Sequence, residues 1–101
     1  MPPVWTDLGH AAALVQDGDL VALGGHTEGA PMALIRELIR QGRLNLGLVT
    51  VPTGGLNVDL AIGAGLVSRL HFAQVVLGEF GMAPHFRRAV EQGRLECLEY
   101  P

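Results

Sequence analysis

Four short aliphatic runs, at 20–23, 46–51, 70–77 and 95–98, are separated by segments whose apolar residues fall at helical spacing. This alternation constrains the fold more than any other feature of the chain. A short unbroken apolar run is the pattern of a strand buried on both faces. Strands that alternate with helices form right-handed crossovers and a mainly parallel sheet. The expected fold is therefore α/β: an open, mostly parallel sheet of at least four strands, with helices on both faces.

Local signals punctuate the pattern. Thr6 is placed to cap a first helix carrying Leu8, Ala12 and Val15 on one side, with Gly18 where a terminating glycine belongs. Pro31 suits the first turn of a helix running to Gln41, which buries Met32, Ile35, Leu38 and Ile39 and is ended by Gly42. Asn57 opens a short helical turn towards Gly63 and Gly65, and Pro84 starts a helix with Phe86, Ala89 and Val90 inward. The strings Gln41-Gly42-Arg43-Leu44 and Gln92-Gly93-Arg94-Leu95 use one helix-to-strand device twice. The segments between them do not match, so the chain is not a duplicated repeat.

Composition sets limits on function. At 101 residues the chain is one domain, and with 49% hydrophobic but only 5% aromatic residues its core is expected to be aliphatic. The net charge is −3 and the densest basic feature is the pair Arg87-Arg88, so no nucleic-acid surface is expected. One cysteine, Cys97, rules out an internal disulfide and a Cys-based zinc site, and it is expected to be a small buried hydrophobe. Neither His10 nor His71 has a second ligand at metal spacing. No apolar run has membrane-spanning length, and 1–5 lacks the basic and apolar parts of a signal peptide; the expected location is cytoplasmic.

In a parallel sheet, ligands bind beyond the carboxyl ends of the strands. The segments expected there, 24–30, 52–56 and 78–83, are all rich in glycine. The first, Gly24-Gly25-His26-Thr27-Glu28-Gly29-Ala30, runs from a strand into a helix N-terminus, where free N–H groups and the helix dipole favour an anion. A phosphate, a carboxylate or a developing thioester oxyanion would suit it. It is neither a Walker A loop nor a dinucleotide fingerprint.

Asp17-Gly18, the aliphatic run, Gly24-Gly25 and then Gly29-x-Pro31-Met32-Ala33-Leu34-Ile35 follow one another in order. Beyond 46–55 come Gly63-Ala64-Gly65-Leu66-Val67 and Gly81-Met82-Ala83-Pro84-His85-Phe86-Arg87-Arg88-Ala89-Val90-Glu91. This series, spanning roughly 8–100, resembles the N-terminal part of the A-type (alpha) subunits of the family I CoA-transferases (glutaconate and 3-oxoacid CoA-transferase-like proteins). Two departures stand out: His26 takes the place of the family's usual aromatic, and the loop to Pro31 is one residue shorter. A-type subunits of the family are about twice this length or more, so 1–101 is expected to be a single A-type domain, truncated at its C-terminus, of the CoA-transferase or NagB/RpiA-like fold.

The resemblance implies transfer of CoA between an acyl-CoA and a carboxylic acid by a glutamate nucleophile, through a mixed anhydride and a glutamyl-CoA thioester. That glutamate is expected on the B-type CoA-transferase subunit of a hetero-oligomer. This chain would supply glycine-loop amides and part of the acyl pocket. Coenzyme A enters as substrate, and no tightly bound cofactor or metal is implied. The expected CoA- and acyl-binding residues are Gly24, Gly25, His26, Thr27, Glu28, Gly29, Gly54, Gly55, Glu79, Phe80 and Gly81. Glu28 is a loop charge or pocket wall before it is a nucleophile. Thr27 caps a helix or offers a hydroxyl, and His26 bonds an acyl carbonyl or fills the aromatic's space. Glu79 and Phe80 line the acyl end or form a surface turn, and Arg87 and Arg88 are a solvated face or reach a CoA phosphate. Two alternatives stand beside the transferase: a CoA-ester hydrolase of the same fold, and a non-catalytic scaffold or regulatory domain.

Overall fold

In the computed structural model, residues 3–25, 29–50 and 53–100 are described, the side chain of Glu79 excepted. Helix α1 (Leu8–Ala13) leads into strand β1 (Leu20–Leu23), and α2 (Met32–Arg40) connects it to β2 (Leu46–Thr50). A two-residue strand β3 (Thr53–Gly54) and helix α3 (Leu56–Gly63) precede β4 (Val67–Phe72). A second short strand β5 (Gln74–Val75), a 3-10 turn (Gly78–Phe80), α4 (Pro84–Glu91) and β6 (Glu96–Glu99) follow.

Strands β1, β2, β4 and β6 form one wholly parallel sheet in that order. The four aliphatic runs are thus its four strands. The fourth is displaced by one residue, to Glu96–Glu99, and the third differs most: its strand starts earlier, at Val67, and the main sheet ends at Phe72. Beyond Ala73 the chain leaves to pair as β5 with β3, in a separate two-stranded parallel sheet. The β2 and β4 chains therefore peel away from the main sheet together, at its carboxyl edge.

The expectation of helices on both faces is not met. Strand order follows chain order, and crossovers of one hand then set every helix on the same side of the sheet. Accordingly α1 packs on α2, α2 on α3 and α3 on α4, in a single layer. Beneath that layer the core is continuous and aliphatic, with Leu23, Ile35, Leu38, Leu48, Val58, Ile62 and Leu70 buried and Phe72 set edge-on against Phe86. The other face shows two ranks in register: Leu20, Gly47, Arg69 and Glu96, then Ala22, Val49, His71 and Leu98. Of these only Gly47 is buried. The Arg69 side chain lies over Gly47 and donates to the Gly18 carbonyl at 3.1 Å, and His71 stacks on Tyr100.

Three smaller expectations also change. Val90, expected to face inward from α4 with Phe86 and Ala89, is exposed. Asp7, not Thr6, caps α1, because its carboxylate accepts the His10 N–H at 2.8 Å. Cys97 is exposed, since β6 is an edge strand; its sulfur turns back towards the Leu95 carbonyl.

Candidate functional site at the carboxyl edge

All four main strands point their carboxyl ends the same way, so the glycine-rich segments leave from one edge. Leu23 and Thr50 are partners across β1 and β2, which sets the start of the first loop beside the start of the second. The second and third are tied together directly. Val76 donates to the Gly54 carbonyl at 3.1 Å, and Gln74 Nε2 donates to Thr53 Oγ1 at 3.1 Å. The third loop is closed on itself by Leu77 N–H to the Gly81 carbonyl at 2.7 Å and by Ala83 N–H to the Val75 carbonyl at 3.3 Å.

Gly24 and Gly25 follow β1 directly, as expected, but they are not equivalent. At Gly24 an added Cβ would meet nothing within 4 Å, whereas at Gly25 it would lie 2.6 Å from the Gly29 carbonyl and the Ala30 nitrogen. Gly25 also has φ +81°, a left-handed conformation that side chains resist. Its glycine is thus required by the loop's own folding. Gly29 closes the same loop, and His26, Thr27 and Glu28 between them lie outside the described residues. Gly54 is buried against Thr50 and Val58, and Gly55 is the N-cap of α3. Phe80 is 83% exposed, as are Met82 at 57% and Leu56 at 55%, so segments joined by the β3–β5 pair carry three exposed apolar side chains. Arg87 pairs with Glu91 at 2.9 Å and Arg88 Nη1 lies 3.3 Å from His85 Nδ1, which makes both a solvated face.

The four helix N-termini differ in a way that composition does not announce. At α1, Asp7 accepts from the backbone. At α4 the cap comes from another helix: the buried Asp59 carboxylate of α3 accepts the Phe86 N–H at 2.7 Å and the His85 N–H at 3.4 Å. Gly63 allows this close packing, because a Cβ there would come within 2.5 Å of the His85 ring. By contrast α2 and α3, which follow the first and second loops, have Pro31 and Gly55 at their N-caps and, among the described residues, no side-chain cap. At α2 the Met32 N–H already donates to the Ala30 carbonyl at 2.8 Å, whereas the N–H groups and dipole end of α3 suit a carboxylate, a phosphate or an oxyanion.

Asp59 and the fully buried Asn57 are the polar residues that the sequence reading did not place in the core. A lone acid in the string Leu56-Asn57-Val58-Asp59-Leu60-Ala61-Ile62 was the available signal, since an acid amid apolar residues needs a buried partner. Among the described residues, no three of His, Cys, Asp and Glu group as a metal site would require. No helix among them is long and apolar enough to cross a membrane.

An open parallel α/β sheet with glycine-rich segments at its carboxyl edge is the arrangement in which α/β domains carry their ligand sites. The Coenzyme A transferase family model matches residues 6–101, and the chain belongs to that family. It is 44% identical over 85 residues to the A-type subunit of 3-oxoadipate CoA-transferase from Pseudomonas knackmussii, a match covering 84% of this chain and 30% of that protein. Among solved structures, it is similar to a variant of the decarboxylase AibA/AibB, with TM-score 0.88 and 37% identity over 97% of this chain and 38% of that one. It is also similar to glutaconate coenzyme A-transferase of Acidaminococcus fermentans, with TM-score 0.82 and 30% identity over 94% of this chain and 31% of that one. The chain thus spans about a third of the length of these relatives.

Proposed function

We propose that this chain is the N-terminal part of an A-type CoA-transferase subunit, which moves CoA between an acyl-CoA and a carboxylic acid in an active site shared with a B-type subunit. The observation that carries the reading is the family match over nearly the whole chain, supported by the 44% identity to a protein named as the A-type component of such an enzyme. The carboxyl edge suits the chemistry. The start of α3 offers N–H groups to a carboxylate or a developing oxyanion, and exposed Leu56, Phe80 and Met82 offer apolar surface to an acyl chain. The residues assigned to CoA and acyl binding are Gly24, Gly25, His26, Thr27, Glu28 and Gly29 of the first loop, with Gly54, Gly55, Glu79, Phe80 and Gly81 of the second and third. The attacking glutamate belongs to the B-type partner, and the chain alone has no transferase activity.

The acid suggested by the P. knackmussii relative is 3-oxoadipate. The test is a coupled assay of the chain with a B-type partner, supplied with an acyl-CoA and 3-oxoadipate. CoA should appear on 3-oxoadipate, and neither protein on its own should turn over. Transfer by the isolated chain, with a CoA adduct on Glu28 or Glu79, would overturn the two-subunit reading. A second reading is favoured by the likeness to a decarboxylase: the same edge could serve loss of carbon dioxide. Release of carbon dioxide independent of any acceptor acid would select it.

A further inference from the structure

Asn57 is the least explained side chain in the molecule. It is fully buried, and among the described residues neither its Oδ1 nor its Nδ2 has a hydrogen-bond partner. Folded chains rarely leave both halves of a buried amide unpaired, because each forfeits its bonds to water with no return. Its position is specific. Asp59 and Gly63 face α4, and Val58 faces Gly54 and Thr50. At about 100° per residue, Asn57 and Ala61 then face away from α4, towards the α2 flank. Helical side chains lean towards the N-terminus, so the Asn57 amide leans towards the carboxyl edge. Helix α3, eight residues long, starts at that edge and, among the described residues, begins without a side-chain cap.

We propose that the Asn57 amide and the N-terminus of α3 form a subsite for a substrate oxygen, the carboxylate of the acid or the carbonyl of its thioester. The proposal rests on the function given above and assigns a residue to it. Nδ2–H donates to the bound oxygen, and the α3 end supplies further N–H groups and a favourable dipole. Oδ1 takes a donor that accompanies the ligand, such as a water. Burial adds to the effect, since no solvent competes for the amide once the ligand has entered. It also means that entry requires a local opening at the edge.

The chain has two asparagines, Asn45 and Asn57, so its side-chain amide spectrum is simple. In ¹⁵N-labelled full chain, the Asn57 pair is assigned by its loss in Asn57→Val. Adipate, a plain dicarboxylate, should shift that pair and leave the Asn45 pair in place; adipyl-CoA in a second titration separates the ester from the free acid. Asn57→Val should melt no lower than the parent, because it removes two unpaired polar atoms, and should bind the shifting ligand at least tenfold more weakly. An Asn57 pair that neither compound moves would overturn the proposal. So would an Asn57→Val chain with a lower melting temperature, which would show that the amide has partners within the protein, or one with unchanged affinity. Loss of transfer activity in the assembled parent enzyme would instead strike the function itself. Normal transfer by an Asn57→Val enzyme would strike only this subsite.

Discussion

The N-termini of α3 and α4 make the sharpest contrast in the molecule. They belong to neighbouring, parallel helices that pack directly on one another. That of α4 is closed by the buried carboxylate of Asp59, which accepts two backbone N–H groups. That of α3 begins at Gly55 and, among the described residues, has no side chain to receive its N–H groups and carries the unpaired amide of Asn57. The same orphan donors are thus satisfied from within at one helix and left available at the other. Closing α4 serves stability, and the open end of α3 is where the proposed ligand would dock. The difference teaches that unused hydrogen-bonding capacity, and not glycine content alone, singles out a candidate site.

The largest effect should come from opening the closed end. Asp59→Ala removes a buried acceptor of two N–H groups and should cost about 3 kcal/mol, read by chemical denaturation. A loss below about 0.5 kcal/mol would erase the distinction between the two ends. Next come the first-loop glycines. Gly25→Ala meets both the positive φ and the 2.6 Å approach of Gly29, and should cost about 2 kcal/mol. Gly24→Val, directed into open space, should leave stability within about 0.5 kcal/mol while lowering transfer by the assembled enzyme. Equal stability losses at the two positions would make the first loop purely structural.

Gly63→Ala tests the α3–α4 contact at smaller scale. Crowding of the His85 ring should cost about 1–2 kcal/mol, reduced by the gain in helix propensity. Combining it with His85→Ala should recover most of that loss, and strict additivity in the double-mutant cycle would show that the two do not touch. The smallest effect is expected at α1. Bonds from the His10 backbone and ring hold the Asp7 carboxyl below its ordinary pKa. A folded-state pKa lower than the unfolded one contributes stability above the unfolded value, lost as pH falls through the folded value. Asp7→Ala should therefore lower stability slightly at neutral pH and make no difference in strong acid. A variant deficit that persisted in acid would point to a role for Asp7 other than its charge.

The elements themselves were legible because each is signalled by neighbours in the chain. The run at 20–23 is β1 without change, Pro31 and Pro84 stand at the starts of α2 and α4, and Gly42 and Gly93 follow their ends. The edge from which the candidate loops leave was legible too, since parallel strands with helical crossovers place those loops together. Less legible was the run at 70–77, which reads as one strand but divides between two sheets. Apolarity reports burial, not which partner strand supplies the hydrogen bonds.

By itself, then, the sequence determined an aliphatic α/β domain with parallel strands, its helix ends, and three glycine-rich segments at one edge. It also carried the family resemblance. Only the tertiary structure decided that all the helices lie on one face, because local periodicity is the same whichever side a crossover takes. Only it decided that Asp59 caps a helix 27 residues onward, that Gly63 makes room for His85, and that Asn57 is buried without a partner among the described residues. Those are relations between residues far apart in the chain, and packing, not spacing, brings them together.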